Sequence, residues 1–342
     1  MSDTETCERC AECSGKGYAY CTFCGRPVGV VPLPETQKPA ESGLTALARL
    51  FGLILLFTCT AVLFFEIFTV FWGFGTIMPV IGDYSLSIFI LTPSPYVILE
   101  ISGAAANLYY MFIVVAVTVS FVLLVYTSRN GMKDVLCKRT DKLDDIPLYA
   151  VATLFAADIS FNMILNIFLM ASGNTPTVPP SAGPYWADWY SFLNATVWEE
   201  VLCRIGMIGV PLAVIGLMLK EKGSWKRLFG RCEMDRTAVV LILISAAIFA
   251  YAHLDGWDVF KIAPTFVGGL ALGYLFVRFG IHAAIMLHFL INYLSSFEWV
   301  LGDTAGTALI GLFILMVLVL GTVFFVQYAT RGCRYVRDLF SK

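Results

Sequence analysis

The chain has 342 residues, 58% of them hydrophobic and 14% charged, against about 25% charged in ordinary soluble domains. A formal net charge of −2 gives no footing for nucleic-acid binding. The apolar residues fall in runs of bilayer-spanning length, which predicts an all-α polytopic membrane protein with about eight transmembrane helices, and the N-terminal cysteine spacing adds a small zinc ribbon.

Residues 1–29 carry Cys7, Cys10, Cys13, Cys21 and Cys24, five of the ten cysteines. Cys7-x2-Cys10 followed by Cys21-x2-Cys24-Gly25 has zinc-ribbon spacing, in which two knuckles offer four thiolates and the metal supplies most of the folding energy. Gly25 permits the tight turn that aims backbone amides at sulfur. Cys10 with Cys13 is an alternative first knuckle, and the longer Cys7/Cys10 arrangement is favoured. A disulfide cluster is disfavoured if this end lies in the reducing cytoplasm. No apolar run precedes Leu44, so no signal peptide is predicted. Residues 30–43, with Pro32, Pro34 and Pro39, read as a linker.

Residues 44–330 read as an eight-helix domain, with spans at about 47–71, 104–126, 148–171, 190–219, 237–253, 262–277, 283–301 and 305–328. The stretch 85–101 is also apolar, but Thr92-Pro93-Ser94-Pro95 breaks it, so it reads as an interfacial or re-entrant element. With a cytoplasmic N-terminus, all of the 23 Lys and Arg except Arg204 and Lys261 fall in cytoplasmic segments, including a basic tail at 331–342. That asymmetry predicts both termini in the cytoplasm.

Ionisable residues inside spans are functional candidates by default. Glu199 and Glu200 adjoin in the fourth span, and Arg204 lies one turn after Glu200, acid first, the favoured i,i+4 orientation. Phe249 and His253 are four apart in the fifth span, and His288 and Asn292 four apart in the seventh. This inventory suits peptide hydrolysis: a carboxylate to activate water, an imidazole beside it, and donors for an oxyanion. Glu200–Arg204 alone would read as a structural ion pair. His282 reads as an interfacial residue. Asp158, Asn162 and Asn166 form a stripe whose commoner use is interhelical hydrogen bonding, though it suits a cavity wall too. Glu66 and Glu298 have no evident partner. Placed linearly, His253 falls near the outer end of its span and His288 nearer the inner end of its own. One site would then need long or broken helices, and Gly206, Gly209 and Pro211 interrupt the fourth span.

Glu199-Glu200-x-x-x-Arg204, Phe249-x-x-x-His253 and His288-x-x-x-Asn292, each on its own span in this order, resemble the CPBP (CAAX protease and bacteriocin-processing, Abi) family of intramembrane proteases, which includes the type II CAAX endopeptidase. The resemblance covers about 190–296. It implies an endopeptidase that cleaves a membrane-associated peptide or protein, by CAAX-type or related processing. Glu199 would activate water with His253 beside it, His288 and Asn292 would hold the oxyanion, and Glu200 and Arg204 would brace the site. It also implies a cavity open to lipid and to the cytoplasm. A catalytic zinc on Glu199, His253 and His288 is an alternative to a metal-free glutamate mechanism, and the metal-free one is favoured because Asn292 suits an oxyanion better than a metal. The expected partners are the bilayer, the substrate and a protein bound through the ribbon. A rival reading is an inactive scaffold or immunity protein that uses the ribbon for interaction. A second rival, a proton-coupled transporter, would show an internal repeat, and none is evident.

Overall fold

The computed structural model describes residues 9–16, 18, 20–26, 28, 43–91, 94–137, 142–177 and 184–341. The chain divides into two compact units, Met1–Arg49 and Leu50–Lys342. In the first, a short helix α1 (Cys10–Gly15) precedes a turn at Cys21–Gly25. Helix α2 (Gly43–Ile77) begins in this unit and continues into the second.

The second unit continues with α3 (Ala104–Leu136), α4 (Pro147–Ala171) and α5 (Tyr185–Glu200). A π-helix (Val201–Gly209) then leads to α6 (Val210–Met218), followed by α7 (Arg236–Ala252), α8 (Ile262–Phe279) and α9 (Ile281–Asn292). The last two are α10 (Ser296–Leu301) and α11 (Asp303–Phe340). Seven crossings among the described residues are long and apolar enough to span a membrane, and α7, at 17 residues, is shorter but apolar. Residues 331–340, expected as a tail, continue α11. Exposed Phe, Leu and Val side chains on α2, α3 and α11 form the lipid-facing surface.

The apolar stretch at 85–101 is an antiparallel hairpin, β1 (Leu86–Leu91) with β2 (Pro95–Ile101), bulged between Ile88 and Phe89. The β-branched and aromatic run Ile88-Phe89-Ile90 suits a strand. The hairpin lies along α5, with Tyr84 against Trp186 (ring centroids 4.8 Å apart) and the Trp198 indole donating to the Phe89 carbonyl at 2.8 Å. Between these two tethers the strand rises about 17 Å and the helix about 18 Å, so the two run side by side.

Small residues set how closely the helices approach. Gly269 and Gly273 on α8 face Ala246 and Ile242 of α7, where an added Cβ would stand 3.0 and 2.9 Å from its neighbours. This is the small-x-x-x-small packing of membrane helices. Gly321 of α11 meets the Ala156 carbonyl, and the Ser160 hydroxyl donates to the Val317 carbonyl at 3.0 Å. Helix α9 sits at the centre, buried from His282 to Leu290 and packed against α3, α4, α5 and α8.

The loops of this unit gather at two ends. At one, Arg278 pairs with Asp145 (2.7 Å), Arg331 with Asp144 (2.9 Å), the Cys232 amide donates to Val277 and Arg236 to Leu339. At the other, the Gly103 amide donates to Gly82, the Thr177 hydroxyl to Asp258 (2.8 Å), Trp189 stacks on Trp299, and the Thr307 hydroxyl donates to Glu298. The Lys and Arg side chains of the loops and turns gather at the first end, and Lys261 belongs to the second.

Candidate active site

The two adjacent acids end α5 and enter the π-helix, and their surroundings differ. Glu200 and Arg204 are sealed at 0% exposure, with the guanidinium Nε 3.2 Å from Glu200 Oε2. Glu200 Oε1 accepts from His288 Nδ1 at 2.9 Å. Glu199 is 19% exposed, and its Oε2 stands 3.8 Å from His288 Nε2. That gap is too long for a direct hydrogen bond and short enough for one water to bridge.

The π-helix has local causes. Pro211 lacks the amide that would continue an α-helical ladder, and Gly209 lets the backbone of Leu228 approach to where a Cβ would stand 2.7 Å from its carbonyl. The Ser245 hydroxyl on α7 donates to the Cys203 carbonyl at 2.8 Å, tying the widened segment to the neighbouring helix. Single-turn π segments are frequent at functional sites.

Helix α7 delivers its histidine at its C-terminal end. His253 Nδ1 donates to the Phe249 carbonyl at 2.8 Å, so in the neutral ring Nε2 is the nitrogen with the free lone pair. Both histidine rings meet Phe249 edge-on, His253 at 4.7 Å and His288 at 6.0 Å, while the Arg204 guanidinium lies 4.8 Å over the same ring. Phe249 is the common wall of the cluster. The depth mismatch expected from a linear placement is therefore absent. The seventh crossing breaks after Asn292 into a 3-10 turn and α10, so His288 lies one turn before a break, level with the end of α7.

A cavity of about 240 Å³ is lined by His253, His288, Asn292 and Phe249. Its far wall is Asp158 and Asn162 of α4, with Lys261, Thr265 and Gly268 at the start of α8. The Asn162 amide donates to Asp158 Oδ2 at 3.2 Å, while Asp158 Oδ1 and the Thr265 hydroxyl are buried without a hydrogen-bond partner. Glu199 is not part of this wall and borders the site through His288. Sequence reasoning passed over Lys261. Its signal was present: the one basic residue between spans outside the cytoplasmic set, eight residues after a motif histidine. Asp158 and Asn162 carried the i,i+4 signal, but their commoner use was preferred.

Residues 181–294 match the family model for a type II CAAX prenyl endopeptidase, Rce1-like. The chain carries an Rce1-like domain. Members of that family are intramembrane endopeptidases, and the matched range contains all seven motif residues from Glu199 to Asn292. Asp158 and Asn162 lie outside it, so α4 adds a wall to the Rce1-like domain from elsewhere in the chain. No curated protein and no solved structure matches the chain.

The other acids and His282 stand apart from the cavity. His282 is buried, 3.5 Å from the Thr127 hydroxyl, where the sequence suggested an interfacial position. Glu66 is fully buried with neither carboxyl oxygen hydrogen-bonded, and Glu298 accepts from Thr307 at 2.7 Å.

In the N-terminal unit, Cys10, Cys21 and Cys24 bring their sulfurs within 4.8 Å of one another. Among the described residues this is the one group of three or more Cys, His, Asp or Glu side chains that converges so closely. Cys7 lies outside the described residues. Cys13 is buried, its sulfur 3.5 Å from the Thr22 hydroxyl, and is not part of the converging set. Gly25 at φ +69° closes the turn, its amide donating to the Cys21 carbonyl. The amides of Phe23 and Cys24 point at the Cys21 sulfur and pull its thiol down to about 6, the behaviour of a ligand knuckle. Desolvation, then hydrogen bonds to the neighbouring Cys24 and Cys21 thiols, pushes Cys10 up to about 12, a penalty on its thiolate that a bound cation would offset. The donor set fits a thiolate-bound metal such as zinc.

Proposed function

We propose that this protein hydrolyses a peptide bond of a membrane-associated peptide or protein using a water activated by Glu199. The observation that carries the reading is the division of labour between the two adjacent acids. Glu200 is sealed by Arg204 and His288, while Glu199 keeps partial exposure and faces His288 Nε2 across a gap of one water. A carboxylate whose lone pairs are not consumed by a buried ion pair is the one free to take a proton.

Glu199 removes a proton from the water, and the hydroxide attacks the scissile carbonyl carbon. The oxygen that gains the charge is met by the Asn292 amide and by a proton on His288 Nε2, whose ring charge the Glu200 carboxylate balances. Collapse breaks the C–N bond, and the proton held on Glu199 passes to the leaving amine. His253, fixed through Nδ1, offers Nε2 as an acceptor that orients the water. Glu200 and Arg204 act through His288 as positioning residues. Asn292, a good oxyanion donor and an unusual metal ligand, favours this mechanism over a zinc set on Glu199, His253 and His288.

The N-terminal unit holds a structural zinc through Cys10, Cys21 and Cys24, with Cys7 as the fourth thiolate, and serves as the arm for a protein partner. Both termini lie in the cytoplasm, supported by the crowding of Lys and Arg at one end of the helical unit. The test is cleavage of a panel of membrane-tethered peptides, CAAX sequences included, by purified protein in lipid. Loss of cleavage in both Glu199→Ala and His288→Ala, with full retention in a chelator too weak to strip the ribbon, is expected. Wild-type inactivity across the panel would favour the scaffold.

A further inference from the structure

The cavity that takes in His288 and Asn292 has a second wall whose polar groups are left unused by the rest of the protein. Lys261, Thr265, Gly268 and Leu272 follow one another at i, i+4, i+7 and i+11, so one face of α8 and of the turn before it lines the cavity. Among the described residues Lys261 has no ion-pair partner. Its ammonium sits 4.0 Å over the Trp257 ring, which holds the side chain without neutralising its charge. The neighbouring acid Asp258 is taken up by the Thr177 and Phe260 amides. The Thr265 hydroxyl is buried and unbonded, whereas Thr118, Thr153, Thr196 and Thr322 each give theirs to the carbonyl four residues back. On α4, Asp158 is 5% exposed, with Oδ2 held by the Asn162 amide and Oδ1 unpartnered. A Cβ on Gly268 would stand 3.4 Å from that Oδ1. Asp158 is therefore level with Gly268, about 10 Å of helical rise from Lys261. Buried polar atoms without a partner in the protein call for one from outside it.

We propose that Lys261 is a specificity-determining residue that binds a carboxylate of the substrate, with Asp158 Oδ1 and the Thr265 hydroxyl pairing to the backbone of the same polypeptide. This deepens the reading of the site as a protease and rests on it. A peptide backbone supplies what the two uncharged ends of the arrangement lack: an N–H for the Asp158 oxygen and a carbonyl for the Thr265 hydroxyl. It supplies nothing for an ammonium that only an aromatic ring holds, whereas a carboxylate does. The rise between Asp158 and Lys261 equals the length of about three extended residues, so the carboxylate lies within about that distance of the backbone group that Asp158 takes. An aspartate or glutamate side chain and a chain-terminal carboxylate share this chemistry. Because Asp158 and Asn162 lie outside the matched Rce1-like range, this wall is a feature of the present chain beyond that domain.

The test uses the full chain in lipid nanodiscs and one membrane-tethered peptide in four forms. These carry glutamate or glutamine within about three residues of the scissile bond, each with a free or an amidated C-terminus. Removing the carboxylate that Lys261 binds should raise KM about three- to tenfold in the wild type with kcat unchanged, and should change nothing in Lys261→Met. Lys261→Arg should keep the discrimination, because it keeps the charge. Sensitivity to the glutamine form alone assigns the site to a side chain, and sensitivity to amidation alone assigns it to the chain end. Equal discrimination in Lys261→Met and the wild type, or none in the wild type, would overturn the proposal. Binding of the same peptides to Glu199→Gln, read by fluorescence polarisation, separates recognition from chemistry. Binding that depends on the carboxylate and on Lys261, without cleavage by the wild type, would uphold the subsite and sink the protease reading. Cleavage without discrimination would do the reverse, and neither binding nor cleavage would sink both.

Discussion

Replacing Arg204 with Met, or Glu200 with Gln, removes one partner of an ion pair that is wholly excluded from solvent. At 3.2 Å and an effective dielectric constant of about 20, the attraction is about 5 kcal/mol. Much of it is offset by the desolvation of both ions, so the net worth of the pair is smaller than the cost of breaking it. Arg204→Met leaves Glu200 with His288 Nδ1 as its remaining donor, and Glu200→Gln strands a guanidinium whose other contact is the face of Phe249. Each single variant should lose about 3–5 kcal/mol of stability. The double variant, which removes both members of the pair, should lose no more than the worse single one, a coupling of at least about 3 kcal/mol. Equilibrium unfolding of all four proteins in lipid nanodiscs measures the cycle. Losses that add within about 0.5 kcal/mol would show that the two side chains do not depend on each other, and the bracing role assigned to them would fall.

Glu199→Gln should cut cleavage by about 10²–10⁴-fold while leaving unfolding unchanged, because the side chain carries no buried pair; equal losses of activity and stability would refute the division between the two acids. Lys261→Met should raise KM by about three- to tenfold for peptides with an acidic group beside the scissile bond, the worth of about 1 kcal/mol of partly screened charge, with kcat constant. In the ribbon, elemental analysis of the purified chain should find bound zinc in the wild type and in Cys13→Ser, and find it lost in Cys10→Ser, Cys21→Ser and Cys24→Ser. The Asp258 carboxyl, held below its ordinary range by the Thr177 amide and further backbone and hydroxyl donors, links the 172–177 loop to the start of α8. A carboxyl lowered on folding stabilises above its ordinary value of about 4 and loses that contribution as pH falls through the lowered one. Hydrogen exchange of the 172–177 segment should therefore be protected at neutral pH and deprotected in acid, and Asp258→Asn should abolish the pH dependence.

Much of this protein was legible in the chain because the information is local. Apolar runs mark crossings, since backbone groups in lipid must bond within their own helix, and charged loops mark an end. Motif spacing placed Glu200 with Arg204 and His288 with Asn292 on single helical faces without reference to any neighbour. Other features depended on contacts between distant segments. That Glu200 rather than Glu199 is sealed follows from α9 bringing His288 Nδ1 against it, 88 residues away in sequence. That Asp158, Asn162 and Lys261 share a cavity with the motif histidines depends on Gly269 and Gly273 letting α8 lie close to α7, and on α4 crossing α8. The hairpin hid in the sequence because a short apolar run fits strand and helix alike, and its place along α5 is fixed by Trp186 and Trp198. The common level of His253 and His288 likewise follows from a break after Asn292 that hydropathy, which averages over a whole crossing, does not register.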